Sequence, residues 1–185
     1  MPSADDVARM LTAFDAQTSI EADYRQEMLA LCRSSAPFSR AQFTPGHFTA
    51  SAFVLSADRS SLLLIHHAKL HRWLQPGGHI EADDASLVDA ATREVMEECS
   101  LKASDLELLS NRPFDLDIHE IPARRDEPTH LHFDVRFLFR CLTDKAQASD
   151  EVLDLAFVEL GRINEHQSDQ SVMRAVGRLQ AITYG

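Results

Sequence analysis

The spacing of hydrophobic positions changes along this chain, and each change marks an element. From Ser3 to Ala36 apolar residues return at helical spacing, with Met10 and Leu11, then Met28 and Leu29. That predicts two helices, about Ala4 to Phe14 and about Glu21 to Cys32, the second capped by Ser19. Pro37, Pro45 and Gly46 mark a connector from Pro37 to Gly46. Strand signals then begin. HFTASAFVLS and SLLLIHHA predict an antiparallel pair around the turn Ala57-Asp58-Arg59-Ser60. RWLQPGGH gives a short strand or bend, leading into a helix from roughly Ser86 to Cys99 that Ser86 or Asp84 could cap. Further strands are expected at about Leu106 to Leu109, Phe114 to Ile121, His130 to Cys141 and Leu153 to Glu159. A polar, proline-bounded loop, Pro122 to Pro128, separates the second and third of these, and a last helix runs from about Ser168 to Ile182. Strands enclosed by helices predict an α/β class, an α/β/α sandwich with a mixed sheet, preceded by two N-terminal helices.

The helix beginning near Ser86 carries the most unusual pattern. Arg93-Glu94-Val95-Met96-Glu97-Glu98 places three glutamates in five positions. At 100° per residue Glu94 and Glu98 project from one side, and Leu87, Ala91 and Val95 fall near the same direction. An acidic run on a helix is most often a solvated face, and a lone Gly-Gly is most often a turn. Carboxylates on an apolar stripe are costly, however, unless something positive meets them. A hard divalent cation, Mg2+ or Mn2+, is the simplest candidate. Gly77-Gly78 lies just upstream, where backbone can come close to a metal or a phosphate.

Composition narrows the partners. The chain has 185 residues, 44% hydrophobic and 25% charged, the mix of one well-cored globular domain. No apolar run approaches membrane-spanning length and no signal-peptide pattern opens the chain, so no membrane partner is expected. Cys32, Cys99 and Cys141 are odd in number and widely spaced, which fits a reducing cytoplasm better than a disulfide frame. A net charge of −11 argues against gripping a nucleic-acid backbone. It leaves room for a small phosphorylated substrate, because bound cations reverse the local sign. Lys69, Arg72, Arg124 and Arg125 lie near the candidate segments as local positive charge.

The region from Pro76 to Leu101 resembles the signature of the Nudix hydrolases. That signature runs Gly, five residues, Glu, seven residues, Arg-Glu, an apolar residue, any residue, Glu-Glu, any residue, Gly and an apolar residue. Here it reads Gly78, five residues, Asp84, eight residues, then Arg93-Glu94-Val95-Met96-Glu97-Glu98-Cys99-Ser100-Leu101. Three departures stand out: Asp84 for the lone glutamate, one extra residue in the spacer, and Ser100 for the closing glycine. A loop before the helix can absorb the insertion. Ser100 falls where a left-handed residue is often wanted after a helix, at a cost of roughly 1 kcal/mol relative to glycine. The likeness is best from about Phe48 to Phe157. It implies a Nudix-like catalytic domain over 41–185 and says little about the helical extension expected over 1–40.

What the resemblance implies is metal-dependent hydrolysis of a diphosphate linkage, typically in a nucleoside diphosphate derivative. Glu94 and Glu98 would lead the metal ligands, Glu97 would be a third or a water-mediated one, and the carbonyl of Gly78 would join them. Arg93, one turn before Glu97, is placed to orient the glutamates rather than to touch substrate. The general base stays open among these glutamates, Glu120 and the histidines, and the role of Asp84 is left open by the insertion. Two other readings remain: a nucleotide-sensing module that no longer cleaves, and an isomerase acting on an isoprenoid diphosphate. Family members are often dimers, and the N-terminal helices could supply an interface.

Histidines form the other concentration of chemistry, eight of the nine lying between His47 and His132. The groupings are His66-His67 with His71, His79 beside the glycines, and His130-x-His132-x-Asp134. On a strand, His130, His132, Asp134 and Arg136 share one face while Leu131, Phe133, Val135 and Phe137 share the other. The polar row either meets solvent or lines a cleft, and the cleft is preferred. His79, His130, His132 and Asp134 are therefore candidate substrate contacts. Trp73, Phe114 and Phe133 are the available aromatics; of these Trp73 is the best candidate for substrate contact, with core packing the slightly favoured alternative. His47 and His166 read as surface or capping residues, and no HExxH zinc-protease motif is present.

Overall fold

The computed structural model describes residues 1–68, 70–124, 127–166 and 168–184. The contacts of the chain separate into two compact units interleaved in sequence, 1–51 with 77–91 and 110–137, and 52–76 with 92–109 and 138–185.

The first unit opens with helix α1 (Ala4–Thr12), whose Val7 and Leu11, four apart, are its buried residues. Helix α2 (Ser19–Leu31) follows, and its cap is Thr18 rather than the expected Ser19. Thr18 Oγ1 accepts from Glu21 N while the Glu21 carboxylate accepts from the backbone of Thr18 and Gln17. This reciprocal box satisfies orphan donors that serine one position later would not reach. Leu11 and Met28 are fully buried, so the leucines and methionines of the N-terminal helices pack within the chain. Strand β1 (Gly46–Leu55) begins in this unit and ends in the other. The short strands β3 (Arg72–Leu74) and β4 (Gly77–His79) come next after β2 (Ser61–His67), and β4 pairs antiparallel with β1, Thr49 opposite His79 and Ser51 opposite Gly77. Strand β6 (Asp115–Ile121) pairs antiparallel with β7 (His130–Cys141), from Asp115 opposite Arg136 to Ile121 opposite His130. Strand β7 also lies beside β1.

Side chains alternate faces along each strand, so this register sorts them. Phe48, Leu116, Phe133, Val135 and Phe137 form a buried apolar face. The opposite face is polar yet equally buried: Thr49, Ser51, Asp115, Asp117, Asp134 and Arg136 are each at most 5% exposed. Arg136 accounts for the burial of charge there. Its Nε, Nη1 and Nη2 donate to Asp134, Asp115 and Asp117 at 2.8, 3.1 and 3.1 Å. Burial opposes the charge on Arg136, but the three aspartates outweigh it and hold the guanidinium firmly protonated. Thr49 and Ser51 donate to the same Asp134 carboxylate.

The second unit is built on β2. Strand β8 (Val152–Glu159) pairs along its length, β3 pairs with its end, and Leu55 of β1 lies opposite Leu62, all antiparallel. The run Leu62–Ile65 is at most 1% exposed, the mark of a strand covered on both faces. Each such leucine contributes about 2 kcal/mol of hydrophobic stabilisation. The turn before β2 is the expected one, with Arg59 at φ 64 and Asp58 accepting from Ser56 Oγ and from Ser60. Strand β5 (Leu106–Leu108) pairs with the end of β7. Helix α3 (Leu87–Cys99) passes from the first unit into the second, and α4 (Gln170–Tyr184) closes the chain. A 3-10 turn over Leu160–His166, which the hydrophobic pattern does not announce, precedes α4. The class is α/β, as expected. Among the described residues no helix is long and apolar enough to cross a membrane.

Candidate functional site

Helix α3 starts where the pattern places it. Ser86 Oγ accepts from Asp89 N, the Ser86 carbonyl accepts from Ala90, and Asp84 instead closes the preceding turn by accepting from Glu81 N at 2.7 Å. Asp84 is 5% exposed. Leu87, Ala91, Val95 and Glu98 are all buried, so the apolar stripe of the helix carries a carboxylate with it. At the far end Ser100 has φ 52, the left-handed conformation anticipated for that position. The Glu98 and Cys99 carbonyls are met there by Ser149 N and Gln147 N.

Within the second unit, Arg93 ties two of the three glutamates together. Its Nη1 donates to Glu94 Oε1 and Glu97 Oε2, both at 2.9 Å. Glu97 is half exposed, whereas only 13% of the Glu94 side chain is exposed. Burial pushes the Glu94 carboxyl up to about 7, against the hydrogen bond and charge of Arg93, with Glu97 and Glu151 adding to the rise. One guanidinium shared between two carboxylates leaves Glu94 under-compensated. A divalent cation would offset that cost, and carboxylate oxygens such as those of Glu94, Glu97 and Glu98 have the hardness that Mg2+ or Mn2+ selects.

The remaining sequence candidates fall in several places. Gly78 sits in β4 opposite Ala50. Trp73 is half-buried in β3 and stacks on His66 at 5.3 Å and 19°, with His71 close to the same imidazole. Glu120 is exposed on β6, opposite Leu131. Phe114 and Phe133 are core residues. Lys69 and Arg125 lie outside the described residues, as does the side chain of His166. Cys32, Cys99 and Cys141 are free thiols.

The histidines regroup in a way that sequence spacing conceals. His47, expected at the surface or in a cap, is 1% exposed, because every position of β1 is buried. Its ring lies 5.1 Å from His79, 5.2 Å from His130 and 4.8 Å from His132. His119, opposite His132 in the β6–β7 register, adds a fifth ring at 5.5 Å. Burial, then the imidazoles of His79, His119, His47 and His130, hold His132 far below the usual histidine range, at about 2. The row His130, His132, Asp134, Arg136 is thus no solvated face. Its Asp134 end is engaged by Thr49, Ser51 and Arg136, and its histidine end enters the imidazole cluster. The alternation Asp115-x-Asp117-x-His119 was the signal that could have paired β6 with this row.

Comparison with known proteins identifies the family and the fold. The family model for the NUDIX domain matches residues 45–176. Among solved structures, an Ap4A hydrolase from C. elegans is similar at TM-score 0.58 and 17% identity, covering 75% of this chain and 98% of that one. The dihydroneopterin triphosphate pyrophosphohydrolase of E. coli is similar at TM-score 0.59 and 17% identity, over 71% and 92% of the two chains. The NUDIX domain of Shewanella oneidensis NrtR, solved with ADP ribose, is similar at 0.56 and 18%, over 88% and 98%. No curated protein matches the chain. The family match spans most of the sequence and contains the Arg93–Glu98 helix, and these structures share its α/β fold: the chain belongs to the NUDIX family, a class of hydrolases acting on phosphoric anhydrides.

Proposed function

We propose that this protein is a divalent-metal-dependent diphosphohydrolase acting on a nucleoside diphosphate derivative. Glu94, Glu97 and Glu98 would hold Mg2+ or Mn2+. The observation that carries the reading is Glu94 on α3, whose carboxyl is raised by burial to about 7, one turn from the buried Glu98. Carboxyls raised by burial concentrate at functional sites, and a bound cation would offset the cost of ionising this one. A bound divalent ion supplies neutralisation of the diphosphate charge and a more acidic water. Arg93 holds Glu94 and Glu97 in one orientation through its bifurcated Nη1 contact, so that removing it would release both carboxylates. Burial raises the Glu94 carboxyl to about 7, which makes its deprotonated form a stronger base than an ordinary carboxylate, so it is our choice of general base over exposed Glu120. Trp73 remains a proposed substrate contact, while His79, His130 and His132 lie in the imidazole cluster and Asp134 is engaged by Thr49, Ser51 and Arg136. We assign residues 41–185 to the catalytic domain and 1–40 to a helical extension, with a homodimer in the cytoplasm as the expected form.

The similar structures bear names or ligands built on phosphoanhydrides, which sets the panel: ADP ribose, Ap4A, dihydroneopterin triphosphate and nucleoside triphosphates, each with and without Mg2+. Cleavage by the parent and not by Glu98→Gln supports the proposal. Binding of a panel member without turnover would move the reading to a nucleotide-sensing module, and turnover confined to an isoprenoid diphosphate would move it to an isomerase.

A further inference from the structure

The described residues hold one more group with metal-ligand chemistry, and it shares no side chain with the glutamate helix. His47 of β1 and His130 and His132 of β7 bring one ring nitrogen each to within 4.8 Å of one another. Two of these rings are steered by backbone. His47 Nδ1 lies 3.1 Å from the Gln42 carbonyl oxygen, and His130 Nδ1 lies 2.7 Å from that of Pro128. A carbonyl oxygen only accepts, so each Nδ1 carries the hydrogen and each Nε2 keeps its lone pair. Metal-bound imidazoles are held in this manner, one nitrogen fixed by an oxygen and the other free to coordinate. His47 Nε2 is also buried with no hydrogen-bond partner, in a residue 1% exposed. A buried acceptor left bare calls for an explanation, and an ion is one.

We propose that His47, His130 and His132 form a binding site for a borderline transition-metal dication, Zn2+ in the first instance. Three imidazoles suit Zn2+, whereas Mg2+ and Mn2+ prefer the oxygen set on α3. Three protein ligands leave a fourth position for water or another ring. His79 stands next to it, 5.1 Å from both His47 and His132. Beside His132 stands His119, whose ring is 5.5 Å away and whose Nδ1 lies 3.1 Å from Asp117 Oδ2, an oxygen that also accepts from Arg136 Nη2. The site would tie β1 to β7 at the end where the 37–46 connector enters, and it stands whether or not the protein cleaves diphosphates.

The test is Zn2+ titration of the full chain, stripped of metal and held in millimolar Mg2+, against a chromophoric chelator. One Zn2+ per chain is expected. His47→Gln and His132→Gln, each checked for folding by circular dichroism, should weaken it by about 100-fold, and the neighbour His119→Gln by about tenfold at most. Glu98→Gln should leave Zn2+ affinity unchanged. Because a buried histidine variant can fail to fold, the unmodified protein loaded with Co2+ is also read by X-ray absorption, where scattering from about three imidazoles is expected. Absence of stoichiometric Zn2+ binding, loss of it in Glu98→Gln but not in the histidine variants, or a shell of oxygens alone overturns the proposal.

Discussion

Replacing Glu94 by glutamine should flatten the pH dependence of stability in the metal-free protein. The folded carboxyl titrates at about 7 and the ordinary value is 4.5. Below 4.5 the group is protonated in both states and contributes no difference. Between 4.5 and 7 the unfolded chain releases its proton while the folded chain keeps it, so stability falls as pH rises. Above 7 the cost is fully present. Each pH unit in that window carries about 1.4 kcal/mol, so the full cost is about 3 kcal/mol. The assay is urea unfolding in chelator from pH 5 to pH 8, parent against Glu94→Gln. The variant should gain about 2–3 kcal/mol on the parent across that range. Mg2+ should reverse the trend in the parent, since coordination requires the deprotonated carboxylate and its affinity rises with pH up to about 7. A parent–variant difference that stays flat with pH would refute the reasoning, because it would mean that Glu94 is already ionised in the folded protein.

Other variants test other parts of the structure. Arg136→Met removes a guanidinium that Asp115, Asp117 and Asp134 share and should cost about 3–5 kcal/mol in urea unfolding; a loss under 1 kcal/mol would contradict the buried ion-pair cluster. Ser100→Gly relieves a left-handed serine at φ 52 and should stabilise by about 1 kcal/mol, read as a rise of about 2–4 °C in Tm with kcat unchanged. Gly77→Ala sets a Cβ 2.6 Å from Ser51 Cα, where backbone cannot yield, and should destabilise by about 2 kcal/mol; an unchanged Tm would contradict that packing.

The strands and helices were legible because apolar spacing is set locally. β7 from His130 to Cys141 and α3 ending at Cys99 fall where the pattern places them. Ser100 was legible too, since its position after a helix demands a particular φ. What stayed hidden depends on register. Nothing local pairs Asp115 with Arg136 or His119 with His132; only the antiparallel offset of β6 on β7 does so. His47 was misread for a related reason. A strand covered on both faces loses the alternation that separates inside from outside, so its imidazole passed for a surface group. The glutamate helix escaped this difficulty because its chemistry lies within two turns of one element.

Gln42 gives the N-terminal region a role that helix packing alone would not. Its side chain joins Ser34, Ala36 N and the Gly46 carbonyl, while its own carbonyl receives His47 Nδ1. A shortened chain begun at residue 45, where the family match starts, would keep the whole signature and lose the residue that steers this imidazole. Such a chain should bind Zn2+ more weakly, because the proposed ligand His47 would no longer be held by that carbonyl. Where this protein is trimmed therefore bears on the proposed imidazole site even when every residue of the signature is kept.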